Sequence, residues 1–185
     1  MFKTTLRIAA VAGLVIAGSA AAYAANPEVG GAPMYANKNI IENAVNSKDH
    51  TTLVAAVKAA GLVETLEGKG PFTVFAPTNE AFDMLPKGTV DDLLKPENKD
   101  KLAKILTCHV VGVDATSEMI GKMIKDDGGI HPVKTVGGCV LQAKMDGDKI
   151  TLTDENGTVA NVTIADVKQS NGEIHVIDHV LLPKM

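Results

Sequence analysis

The segment Phe72–Phe82 constrains the fold of this chain more than any other stretch. Its first four residues are aromatic or β-branched, a composition that favours a buried strand. Pro77 ends that strand, because proline has no N–H and holds the preceding residue extended. Thr78 is then placed to cap the N-terminus of a helix. Three of the four phenylalanines lie here and tryptophan is absent, so the segment predicts a strand–turn–helix unit that anchors the core.

The N-terminus predicts a secretory signal peptide that covers residues 1–24. Lys3 and Arg7 form a basic start, residues 8–17 are mostly apolar, and Ala22-Tyr23-Ala24 has the small-x-small pattern of a cleavage site. The apolar run is short for a transmembrane helix, which needs about 20 residues. We therefore expect cleavage after residue 24 and a secreted, soluble product without a membrane span, located in the periplasm or outside the cell.

The remaining sequence divides into a lead-in and one domain. Residues 25–46 begin with Pro, Gly and Asn without any period and end in a short helical pattern, so we expect a flexible lead-in with a short helix. Residues 47–184 have the size of a single domain with its own core. Apolar residues recur at helical spacing in residues 51–60 and alternate in residues 139–145, which indicates the α+β class.

The charge of the chain argues against nucleic acid as a partner. The formal net charge is −4 at pH 7, and it becomes more negative once the two basic residues of the leader are removed. Binding to a phosphate backbone requires clustered Lys and Arg. The sequence thus predicts no nucleic-acid partner.

The two cysteines, Cys108 and Cys139, predict a disulfide, because an exported protein meets oxidising conditions. The alternative is a catalytic thiol activated by histidine. His109 is a poor partner for Cys108, since neighbours on a predicted strand point to opposite faces. His131 or His175 could still approach that sulfur, so the alternative stays open, ranked below the disulfide.

The segment around His175, Asp178 and His179 invites a metal hypothesis. Its apolar residues predict a strand, and four residues of strand separate the two histidines by about 13 Å, too far for one ion. We therefore expect structural histidines here, and we expect His109 to face the core and bond to backbone. No metal site and no cofactor are predicted.

Two acidic loops resemble calcium loops only in part. The first, Asp146-Gly-Asp148, lacks the later acidic ligands of such loops, and both it and residues 154–157 fit hairpin turns. No serine elbow, carboxylate pair or dinucleotide loop is recognisable in the sequence. The chain is therefore expected to be non-enzymatic, with no catalytic residues.

Three motifs give the chain a resemblance to a known family. Residues 72–82 resemble the first signature of the fasciclin domain, T-V-F-A-P-T-[ND]-x-A-F, and residues 172–183 resemble the second, G-x-I-H-V-I-D-x-V-L-L-P. Residues 105–111 are similar to the central segment, with Cys108 where Tyr is usual. The resemblance covers about residues 47–184, and the motif positions are Phe72, Phe75, Pro77, Thr78, Phe82, His109, His175 and Asp178.

The resemblance implies a fold and a class of function. The fold is a β-wedge of two packed sheets flanked by several helices. The function is an exported interaction module of the cell-adhesion type, whose partner is a surface protein or a polysaccharide. Some fasciclin-like proteins bind carotenoids or similar molecules, so the alternative is a binder of a small apolar ligand such as a carotenoid or lipid. In that case the helix with Met119, Ile120 and Met123 would border the groove, although its helical spacing favours packing in the core.

Overall fold

A computed structural model describes residues 26–184 of the chain. The predicted signal peptide lies outside the described residues. Within residues 26–184, every helix is too short or too polar to cross a membrane.

The chain alternates short helices with strands. The strands are β1 (Glu28–Val29), β2 (Ala32–Pro33), β3 (Phe72–Pro77), β4 (Val110–Val111), β5 (His131–Lys134), β6 (Val140–Asp146), β7 (Lys149–Thr153), β8 (Val159–Gln169) and β9 (Gly172–Ile177). The helices are α1 (Ile40–Ala44), α2 (Thr51–Ala60), α3 (Val63–Glu67), α4 (Asn79–Asp83), α5 (Thr89–Leu93), α6 (Lys99–Thr107) and α7 (Ser117–Asp126), with single 3₁₀ turns at Lys48–His50 and Pro96–Asn98.

Seven strands form the main sheet in the order β4-β3-β9-β8-β7-β6-β5, and β1 and β2 form a separate hairpin. The β3–β9 pair is parallel and the other neighbours are antiparallel. The long strand β8 pairs with β7 near its start and with β9 near its end, and its register shifts twice between Val162 and Val167. Such irregularities bend a strand. The bend divides the sheet into two packed halves, which confirms the predicted α+β wedge.

Two apolar cores lie on opposite faces of β3 and β9. Because side chains alternate along a strand, Val74 and Ile174 pack against helices α1 to α6, while Phe75 and Ile177 face the interior of the wedge. The wedge core also receives residues of β6 and β7, and Ile120 of α7 closes it. The segment with the richest aromatic content thus contributes to both cores.

The lead-in is packed against the domain, which differs from the expected flexible segment. Val29, Met34 and Ile40 are almost fully buried. Asn43 is buried and binds the backbone of Tyr35 in both directions, at 3.0 and 2.8 Å. The buried residues are separated by Gly and Pro, so they follow neither period 2 nor period 3.6, and the sequence pattern does not reveal them.

The strand predicted near Cys108 is shorter than expected. Helix α6 runs to Thr107, and the Cys108 N–H still donates to the Ile105 carbonyl at 3.1 Å, so Cys108 ends the helix. Only Val110–Val111 forms strand. The strand alternation used to separate Cys108 from His109 therefore does not apply.

Candidate functional site

The two signature segments lie side by side. Strands β3 and β9 pair in parallel from Phe72 opposite Gly172 to Pro77 opposite Ile177. The Thr78 N–H continues the contact by donating to the Ile177 carbonyl at 3.2 Å. The two signatures, which are distant in sequence, thus lie side by side on the second and third strands of the sheet.

The first signature builds the turn that its sequence predicts. Pro77 ends β3, and the Thr78 hydroxyl accepts a hydrogen bond from the Ala81 N–H at 3.3 Å, which caps α4. Phe82 packs from α4 into the helix-side core, with Phe72 partly buried beside it. These four motif side chains serve packing and capping.

His175 stacks on Phe75, its partner in the strand register, with ring centroids 5.7 Å apart. Its Nε2–H donates to the Ala115 carbonyl at 2.9 Å, and Nδ1 accepts from the Asp166 N–H at 3.2 Å. Burial lowers the pKa of His175, partly opposed by the Ala115 carbonyl and the charges of Asp166 and Asp114. The ring is therefore neutral at pH 7 and joins β9 to the residues before α7.

His109 is fully buried and lies between two backbone groups. Its Nδ1–H donates to the Ile105 carbonyl at 2.9 Å, and its Nε2 accepts from the Leu181 N–H at 2.9 Å. Burial lowers the pKa of His109 to about 4, partly opposed by the Ile105 carbonyl and the charge of Asp154. This neutral ring ties the end of α6 to the end of the second signature.

Asp178 joins β9 to β8 through its carboxylate. It accepts from the backbone N–H and the side-chain amide of Asn161, both at 2.7 Å, and from His179 Nδ1–H at 2.8 Å. Burial raises the pKa of Asp178, but the hydrogen bonds from His179 and Asn161 outweigh it, so the pKa is lowered. His179 is thus a partner of Asp178, while His175 points elsewhere.

Cys108 and Cys139 are joined in a disulfide with Cα atoms 5.4 Å apart, and both are buried. Among the described residues no cysteine is free. His131, one of the histidines considered as a partner for a thiol, instead bonds to Asp127 at 2.7 Å. The bridge fastens the end of α6 to the start of β6.

The acidic loops are turns. Asp154 uses Oδ1 to accept from the N–H groups of Asn156 and Thr158, at 2.9 and 2.8 Å, and Oδ2 to accept from the Leu182 N–H at 2.9 Å. Asp146 lies opposite Lys149 at the tip of the β6–β7 hairpin. Backbone donors thus occupy both carboxylate oxygens of Asp154.

Sequence reasoning missed a cluster formed by Asp166, Glu173 and His175. Ligand atoms of these three side chains lie within 4.8 Å of one another. Burial, followed by the charges of Asp114 and Asp166, raises the pKa of Glu173, while Lys168 opposes this. Glu173 and His175 are two residues apart on β9 and share a face of the strand, a spacing that is visible in the sequence. Asp166 comes from the bend in β8, which the sequence pattern does not reveal.

Asn171, in the turn between β8 and β9, connects three segments. Its Nδ2 donates to the carbonyls of Leu66 and Gly68, at 2.7 and 2.9 Å, and its Oδ1 accepts from the Ile40 N–H at 3.1 Å. The side chain thereby holds the ends of α1 and α3 against the β8–β9 turn.

We expect Asn171→Ala to destabilise the domain by about 2–3 kcal/mol, because it leaves buried backbone groups unpaired. Urea unfolding at pH 7.5 measures the change. The matched control is Asn46→Ala, which removes one hydrogen bond of an exposed side chain to the Glu42 carbonyl and should cost about 0.5 kcal/mol. Equal effects of the two substitutions would contradict the role of Asn171.

An apolar cavity of about 60 Å³ lies between the helices and the sheet. Its lining includes Ile41, Leu53, Val57 and Ile174, together with His50. Helix α7 does not line it: Ile120 packs into the wedge core and Met119 is half exposed. The cavity thus lies on the opposite face of the sheet from α7, whose Ile120 packs in the core.

The fold and its site define a class of protein: a β-wedge domain whose signature side chains pack in the core or form hydrogen bonds within the fold. The chain belongs to the fasciclin domain family, whose profile matches residues 48–183. This confirms the resemblance inferred from the signatures.

Known relatives agree with this assignment. The chain is 50% identical over 146 residues to the protein sll1483 of Synechocystis sp., covering 79% of this chain and 74% of that protein. It is 41% identical over 135 residues to the transforming growth factor-beta-induced protein ig-h3 of Sus scrofa, covering 71% of this chain and 17% of that protein.

A solved structure shares the fold. It is a FAS1 domain pair from the insect cell adhesion molecule fasciclin I, with a TM-score of 0.69 and 18% sequence identity. The alignment covers 78% of this chain and 51% of that chain, so this protein spans about half the length of the pair.

Proposed function

We propose that this protein is an exported, non-enzymatic interaction module of the adhesion type, which contacts a surface protein or a polysaccharide. The proposal rests on what His109, His175 and Asp178 do in the fold. These are the motif residues whose side chains are of types that act in catalysis. Each binds groups inside the fold, and the two histidine rings are buried and have lowered pKa values. The motif therefore holds the scaffold together, and contact with a partner falls to the exposed surface.

The family supports the adhesion class. The solved relative is named a cell adhesion molecule, and a domain held by a disulfide and two cores is suited to work outside the cytoplasm. Large exposed apolar side chains are available for contact; they include Met84, Val113, Met119 and Val136. Single exposed apolar residues are ordinary on protein surfaces, so the binding face is to be located by experiment.

The test is retention on immobilised candidates: peptidoglycan, a panel of polysaccharides and extracellular matrix proteins. We expect saturable retention of the labelled protein on at least one candidate, competed by unlabelled folded protein. Protein that has been reduced and unfolded in urea is the matched control and should not compete. The absence of saturable retention across the panel, or chemical turnover of a candidate, would contradict the proposal.

Export is part of the same proposal. The basic start, the apolar run and Ala22-Tyr23-Ala24 support cleavage after Ala24. N-terminal sequencing of protein recovered from the periplasm or the medium should give Ala25 as the first residue. Protein that remains in the cytoplasm with an intact leader would contradict export.

A second candidate function is the binding of a small apolar molecule, and the cavity between the helices and the sheet favours it. The cavity is lined almost entirely by apolar atoms, as a site for such a molecule requires. The volume of about 60 Å³ is below the roughly 150 Å³ of a cavity that binds benzene. Binding of a molecule as large as a carotenoid therefore requires α1 and the lead-in to move away from the sheet.

Native mass spectrometry and absorption spectra of protein purified from its own source test this second function. Bound pigment or lipid that is lost in Leu53→Trp, which fills the cavity, would support it. Ligand-free, colourless protein would contradict it and would leave the adhesion proposal unaffected.

A further inference from the structure

One buried carboxylate oxygen has no partner in the described structure. Glu173 is only 2% exposed, and its Oε2 has no hydrogen-bond partner among residues 26–184. An unpartnered carboxylate in such a place is costly, because burial penalises the charged form and leaves its lone pairs unsatisfied. The atom therefore needs either a proton or a cation.

The acidic surroundings of this oxygen stabilise a cation as well as a proton, and they contain further groups that can bind a cation. Glu173 Oε2 lies 3.9 Å from His175 Nε2, and the carboxylate of Asp166 completes a group whose ligand atoms are all within 4.8 Å of one another. Asp114 adds a further negative charge that acts on both Glu173 and His175. Lys168 is the basic group that acts on Glu173, so acidic side chains predominate around the cluster.

Asp166 is held in position for this role. Its Oδ1 accepts from the Ser117 N–H at 2.7 Å and its Oδ2 accepts from the Ser117 hydroxyl. Each of these two Asp166 oxygens has a second lone pair, which is available to bind a cation. Asp166 is also the single non-glycine residue with positive φ in the described chain, at 57°, within the bend of β8. The bend directs the backbone N–H of Asp166 to His175 and its carboxylate to the start of α7.

We propose that Glu173, Asp166 and His175 form a binding site for a divalent transition cation such as Mn²⁺ or Zn²⁺. Two carboxylates and one imidazole are a ligand set that suits these ions. The Ala115 carbonyl, 2.9 Å from His175 Nε2, supplies an additional oxygen beside the site. The three residues match no recognised metal-binding sequence motif. The site is independent of the surface contacts proposed for adhesion.

Binding requires a small local rearrangement. Metal bonds of about 2.0–2.2 Å place ligand atoms closer together than 4.8 Å, so Glu173 and Asp166 must approach His175 by about 1 Å. Ligation through Nε2 puts the cation in the place of the proton now donated to Ala115. The ring proton then moves to Nδ1, and the long contact from the Asp166 N–H opens.

The test uses protein freed of metal by chelation and then titrated with Mn²⁺, with free Mn²⁺ measured by electron paramagnetic resonance. We expect one Mn²⁺ per chain in the wild type and at least tenfold weaker binding in Glu173→Gln, which keeps the shape and removes the charge. The matched control is Asp127→Asn, which disrupts the exposed Asp127–His131 pair. This control should bind like the wild type.

Wild-type protein provides a second readout that needs no variant. Addition of Zn²⁺ should shift the side-chain ¹⁵N resonances of His175 and leave those of His131 and His179 in place. The proposal is overturned if Mn²⁺ does not bind, if Glu173→Gln binds as tightly as the wild type, or if Zn²⁺ shifts His131 or His179 instead of His175. None of these results bears on retention by polysaccharides or proteins, so the two proposals fail separately.

Discussion

Gly172→Ala is expected to destabilise the domain by more than about 4 kcal/mol and to prevent folding at moderate temperature. Gly172 opens β9 opposite Phe72 with φ of +151°, a conformation that L side chains rarely adopt. A Cβ placed there would lie 1.9 Å from the Phe72 carbonyl oxygen and 2.7 Å from the Phe72 nitrogen. These are backbone atoms of the neighbouring strand, so no side-chain rotation relieves the contact and the β3–β9 pair must separate.

The matched control is Gly147→Ala in the β6–β7 hairpin. Gly147 also has positive φ, at +59°, but a Cβ there would meet no atom within 4 Å. It should cost only the conformational strain, about 1–2 kcal/mol. Urea unfolding monitored by circular dichroism compares the two variants. If Gly172→Ala is no less stable than Gly147→Ala, the close approach of the two signature strands is wrong.

The sequence predicted local elements of the fold, but it did not predict the contact between distant strands in which Gly172 takes part. The strand, proline stop and cap at residues 72–82 depend on neighbouring residues, so their sequence pattern was sufficient. No local sequence pattern predicted that the two signatures pair, because parallel strands are joined through a long crossover and lie far apart in the sequence. The family resemblance implied a wedge, and the register that brings Phe72 against Gly172 came from the structure.

The site was predictable only in part, for a similar reason. His109 was expected in the core with a backbone partner, and it has two, Ile105 and Leu181. Leu181 is 72 residues away in sequence, so no spacing identifies it. The approach of Asp166 to Glu173 depends on the bend of β8, and the packing of the lead-in depends on apolar residues without a period. These features depend on tertiary contacts, which local sequence propensity does not predict.

A second large effect is expected from pH, through His109. The pKa of His109 is about 4 in the folded protein and about 6.5 in an unfolded chain. Between these values the unfolded state binds more protons, so stability falls as the pH decreases from 6.5 to 4. The full cost is about 3 kcal/mol, of which about 2 kcal/mol is present at pH 5. By about pH 8 the residue is neutral in both states, and stability no longer depends on its titration.

His109→Gln isolates this contribution, because Gln is polar but does not titrate. At pH 8 the variant should be less stable than the wild type by about 1–3 kcal/mol, since it cannot keep both hydrogen bonds with good geometry. The deficit should shrink by about 2 kcal/mol at pH 5, where the wild type has begun to lose stability.

His50 and His175 also have lowered pKa values, but their contributions are present in both proteins and cancel in the difference. Urea unfolding at pH 5 and pH 8 gives the four free energies required. A deficit that is the same at both pH values would mean that His109 is protonated at pH 5 in the folded state, and the neutral link between Ile105 and Leu181 would then be excluded.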